Sequence, residues 1–61
     1  MIPDSKVIEG VRYTLYATVA DEETAIICAE RAREKGLKAR RTKGIDDLGN
    51  SVSVIYVLRE G

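Results

Sequence analysis

Val52-Ser53-Val54-Ile55-Tyr56-Val57-Leu58-Arg59 is the stretch on which the fold turns. A short run of β-branched and aromatic residues reads as a strand. Large apolar groups stand on both of its faces: Val54, Tyr56 and Leu58 on one, Ile55 and Val57 on the other. A strand that is apolar on both faces belongs inside a sheet, covered from two sides. Other strands must therefore flank it.

The first of these is the segment 11–20. Val11, Tyr13, Leu15, Ala17 and Val19 alternate with Arg12, Thr14, Tyr16 and Thr18, the period of a half-buried strand. Gly10 interrupts the chain before it, and Val7-Ile8 either extends this strand or adds a short one. The second flanking strand is the segment 37–43, with Leu37 and Ala39 on one face and Lys38, Arg40 and Thr42 on the other. Turn formers crowd the segment 44–51, which reads as the loop into the last strand.

A helix joins the two flanking strands. Asp21 stands where an N-cap carboxylate accepts the free amides of a first turn. Glu22 and Glu23 suit the positive end of the helix dipole, and Arg33 and Lys35 suit the negative end. Gly36 supplies the left-handed residue that stops it. Ala25, Cys28, Ala29 and Ala32, flanked by Ile26 and Ile27, form an apolar stripe narrow enough to lie close to a sheet.

These elements predict an α+β fold of β-α-β-β type. The sheet expected is three-stranded, in order 1-3-2 counting from the segment 11–20, with one helix on one face. This is a split β-α-β unit, half of a ferredoxin-like fold, and residues 1–61 form one small α/β domain. The uncovered face would show Tyr16 with either Ile55 and Val57 or Val54 and Tyr56, and the first strand would leave an open edge. A second copy answers both problems, so a homodimer is expected.

Size and composition restrict the chemistry. A chain of 61 residues buries only about 60% of the surface that its unfolded form exposes. The single cysteine, Cys28, excludes an intrachain disulfide, and with no histidine present a four-ligand Cys/His zinc site is excluded too. Apolar residues at 44% and charged residues at 33% place the chain among folded proteins. No apolar run approaches the roughly 18 residues that span a bilayer. A free thiol and the lack of an export signal in residues 1–6 lead to a cytoplasmic expectation.

Catalytic groups are missing at the level of residue type. Without histidine or a buried-looking acid, no pair is suited to general acid-base work, and serine or threonine nucleophiles lack an activating base. Gly44-Ile-Asp-Asp-Leu-Gly-Asn-Ser51 has P-loop spacing, but Asn50 replaces the lysine and two aspartates would repel phosphate. Asp46, Asp47 and Asn50 lack the alternating ligands and closing glutamate of a calcium loop. Cys28 lies mid-helix, away from the positive helix end that activates thiols. The reading is a non-enzyme with no catalytic residue, metal, cofactor, small-molecule substrate or membrane partner.

Charge is the feature with functional content. The chain is neutral overall, yet residues 31–43 carry seven cations against Glu34 alone. Lys38, Arg40, Arg41 and Lys43, assisted by Arg12 and Tyr16, are the candidate binding residues. Arginines beside an exposed tyrosine on a sheet suit a phosphate backbone and a stacked base. The bland alternative is a solvated strand whose cations discourage edge pairing.

Two resemblances follow from these segments. The run from Ala25 to Lys43, with its Lys35-Gly36-Leu37-Lys38-Ala39 turn, resembles half of a SPOR-type repeat; the second helix and fourth strand of that family are absent, so peptidoglycan binding is not implied. Leu15-Tyr16-Ala17 resembles the strand-one aromatic motif of RNA-recognition domains, whose strand-three motif is missing from residues 50–58. The expectation is a homodimeric protein-interaction or structural module, with RNA or DNA binding through the basic segment as the alternative.

Overall fold

Val7-Ile8 belongs to a strand of its own. In a computed structural model that describes residues 2–59, five elements follow in order. They are β1 (Ser5–Ile8), β2 (Val11–Val19), α1 (Glu22–Glu34), β3 (Leu37–Ile45) and β4 (Ser51–Arg59). The sheet has four strands in the order β1-β2-β4-β3, each antiparallel to its neighbours. This overturns the expected three-stranded sheet of order 1-3-2. Glu9 and Gly10 make the difference, because both take positive φ, 52° and 81°. Two consecutive residues of that kind form the two-residue turn whose twist matches a hairpin. Ile8 then pairs with Val11 and Ser5 with Thr14, so the β2 edge is closed. Glutamate is a poor left-handed residue, which is why the turn was not evident in the sequence.

The alternation in β2 is also broken. Leu15 pairs with Tyr56 and Ala17 with Ile55, leaving Tyr16 as an extra residue in a β-bulge. Tyr13 and Leu15 consequently pack on the face away from the helix, while Ala17 and Val19 pack beneath it. The expected single apolar face of residues 11–19 is thus divided between two cores. Tyr16 leaves the face expected for it and joins Thr14, Leu37 and Val57 on the helix side.

Helix α1 forms where its caps dictate. The Thr24 amide donates to the Asp21 carboxylate at 2.9 Å, and the Thr24 hydroxyl donates to the same group. Gly36 follows the last turn with φ 85°. Ala25, Ala29 and Ala32 are fully buried against Ala39 and Ile55. Methyl side chains let the helix approach closely, so the sheet supplies most of the bulk in this core.

The other face needs no second copy to close. Tyr13, Val54 and Tyr56 are at most 2% exposed, because residues 2–4 cross over them. The Tyr56 hydroxyl donates to the Pro3 carbonyl at 2.8 Å, and the Leu15 amide donates to Asp4. Ile2 lies so near Gly44 that a Cβ there would stand 3.3 Å from its side chain. Glu9, in the β1–β2 turn, also reaches Arg40 of β3 at 3.2 Å, linking opposite margins of the sheet. The sheet curls around its own aromatic core.

Candidate functional site

Two strands end the sheet among the described residues, the four-residue β1 and the nine-residue β3, and the longer open edge is β3. Its backbone polarity follows from the ladder. Leu15 turns its amide toward the β1 side, where Asp4 accepts it, so its partner Tyr56 turns its own amide toward β3. Tyr56 pairs with Arg40, and the next residue along, Ala39, therefore points its N–H and C=O outward. An independent contact agrees: the Arg33 guanidinium of α1 donates to the Ala39 carbonyl at 3.2 Å. By alternation, Leu37, Ala39, Arg41, Lys43 and Ile45 present their backbone groups at the open edge.

The helix overhangs this edge. Glu22, Ile26, Ala29 and Arg33 follow one stripe of α1, and its two ends touch β3: Glu22 at Arg41, 3.5 Å, and Arg33 at Ala39. Ile26 lies between them and is 39% exposed. The open backbone of β3 is therefore flanked by an apolar side chain above it and by cations along it.

The structure divides the six residues singled out from the sequence. Lys38 and Arg40 lie on the tyrosine face of β3; Arg41 and Lys43 lie on its helix face, opposite Ile55 and Ser53. Arg12 is opposite Val7 at the far side of the sheet, and Tyr16 is the bulge residue, half covered in a hollow with Leu37, Val57 and Arg59. The six do not form one surface. Two of the four β3 cations also have partners. Arg40 is held above its ordinary pKa by the Tyr13 hydroxyl and then by Glu9, while Arg41 meets Glu22. Such exposed pairs are weak and exchangeable.

Sequence reasoning missed Arg33, Ile26 and Ser53 as parts of this edge. Arg33 read as a helix-dipole cation, and only the crossover places it beside Ala39. Ser53 lies between Val19 and Lys43, 5% exposed, within the most apolar strand. It lines a hollow of about 240 Å³ at the amino end of α1 with Glu22, Arg41, Thr42 and Lys43.

Among the described residues, no group of three or more Cys, Asp or Glu side chains is placed to hold a metal ion. No helix is long and apolar enough to cross a membrane. No protein-family model, curated protein or solved structure matches this chain.

Proposed function

We propose that this chain is a protein-interaction module that takes an extended, acidic segment of a partner as a fifth strand on β3. The observation that carries the reading is the nine-residue edge of β3, with four cations and with outward backbone groups of which the Ala39 carbonyl is held by Arg33. Main-chain hydrogen bonds supply affinity in strand addition, and alternate side chains supply specificity. Acidic residues complement Lys38, Arg40, Arg41 and Lys43. A second copy on the same edge would bring two sets of these cations together, which is unfavourable across a strand pair. The two surfaces first considered for a homodimer, the open apolar face and the edge of β2, are occupied within the chain.

Proline scanning tests the edge. Arg41 faces outward, so Arg41→Pro keeps the fold and removes an amide needed for docking. Arg40 lies in the β3–β4 ladder, so Arg40→Pro disrupts the fold itself. NMR titration with an alternating Glu/Val peptide should shift the amides of Leu37, Ala39, Arg41 and Lys43. The response should vanish in Arg41→Pro but persist, weakened, in Arg41→Gln. Equal binding of a Lys/Val peptide would overturn the reading. So would a single-stranded oligonucleotide that binds while the acidic peptide does not, which would promote nucleic-acid recognition instead.

A further inference from the structure

Ile26 makes the two sides of the β3 edge unlike. We infer that the strand taken by β3 is amphipathic, apolar toward α1 and acidic toward Lys38 and Arg40; this rests on the strand-addition reading above. Ile26 lies on the stripe of α1 that begins at Glu22 and ends at Arg33. Arg33 reaches the Ala39 carbonyl, which points away from β4, and Glu22 reaches Arg41. That stripe therefore stands over the outer margin of β3. A docked strand lies one spacing further out, about 4.8 Å, so no side chain has to cross β3 to meet Ile26. The isoleucine is 39% exposed in the free chain, and a branched apolar residue of the docked strand would remove that surface from water.

Charge fixes which face is which. Glu22, Glu23 and Glu30 stand one turn of α1 from Ile26, and all three are exposed. A carboxylate on the helix face of the docked strand would meet these like charges, and Arg41 on that face already has Glu22. On the opposite face lie Lys38 and Arg40. The acid paired there, Glu9, is 77% exposed and exchangeable. The acids of the docked strand therefore belong opposite Lys38 and Arg40, while Arg41 and Lys43 add long-range attraction.

The Arg33 contact does not bar the edge. A carbonyl oxygen has two lone pairs, so a docked amide shares the Ala39 oxygen with the guanidinium.

Peptides of alternating Glu and Thr, with the central threonine kept or replaced by isoleucine, test this by NMR titration. The isoleucine peptide should bind about tenfold tighter, the scale of covering one apolar side chain. That advantage should shrink severalfold in Ile26→Ala. The position is partly exposed and alanine favours a helix, so this variant folds. Lys38→Gln should weaken both peptides by the same factor, because it removes a partner of the acids and not of the isoleucine. In the complex, the Ile26 methyl protons should show Overhauser contacts to the peptide isoleucine and none to glutamate. If both peptides shift the β3 amides but Ile26→Ala leaves the advantage unchanged, or glutamate contacts Ile26, the two-faced strand is refuted while the edge survives. If neither peptide binds, the strand-addition reading falls and the face assignment falls with it. Shifts of Ile26 and the β3 amides that grow with protein concentration alone would put a second copy on the edge and overturn both.

Discussion

The two faces of the sheet are closed by opposite means. Beneath α1, three buried alanines meet Ala39 and Ile55, and the cover is a separate helix held by its own caps. On the other face Tyr13 and Tyr56 fill the space, and the cover is the curl of the sheet with residues 2–4 laid across it. Small side chains admit a helix; large ones with a polar tip draw in backbone that can accept a hydrogen bond. A chain of 61 residues thereby gains two cores without a second layer of helices. Its longest exposed ladder among the described residues is that of β3.

The largest break in this comparison is expected at Ile55, the bulky residue of the alanine face and fully buried. Ile55→Ala should cost about 2–5 kcal/mol, because the neighbouring alanines are too short to refill the cavity. Denaturant titration would show it as a lowered midpoint, or as loss of the folded state. A cost under about 1 kcal/mol would mean that α1 settles into the gap and that this face is not close-packed.

The caps of the two covers differ by less. Asp21→Ala removes the acceptor for Thr24 and should cost about 1 kcal/mol, or about 4–8 °C in midpoint for a domain this small. Tyr56→Phe removes only the bond to Pro3 and should cost about 0.5–1.5 kcal/mol. Hydrogen exchange sharpens the contrast. Asp21→Ala should loosen the first turn of α1, whereas Tyr56→Phe should loosen residues 2–4 and β1, each leaving the other face protected.

The smallest effects are those of pH. Hydrogen bonds from Thr24 lower the Asp21 pKa from 3.8, so its contribution is present above that value and is lost as pH falls through the folded pKa. Burial, and then Asp4, raise the Tyr56 pKa from 10.0. Its contribution is complete below pH 10 and is lost as pH rises through the folded pKa. Acid melts of Asp21→Asn and alkaline melts of Tyr56→Phe should each be flatter than the parent in that window alone. Steepness unchanged in both would show that other groups govern the pH response.

Local signals and long-range pairings were legible to different degrees. The bounds of α1 could be read because Asp21 and Gly36 act on neighbours within a turn of themselves. The loop expected at 44–51 was legible only in its centre: the Asp46 carboxylate accepts amides from Leu48 and Asn50, whereas Gly44 and Ile45 extend β3 and Ser51 opens β4. The edge site was legible only as a run of cations. Which of them face outward depends on the register of β3 against β4, and that register is tied to Leu15 and Asp4 across the sheet.

By itself, then, the sequence determined the helix, the apolar β4, the basic β3 and the lack of histidine, all properties of residue type and short spacing. Tertiary structure alone decided the fourth strand, the bulge at Tyr16, the closure of the tyrosine face and the open edge. Each of these depends on hydrogen bonds between segments far apart in the chain. A pattern of period two reports that a residue faces a sheet's surface, and not which strand comes next to cover it.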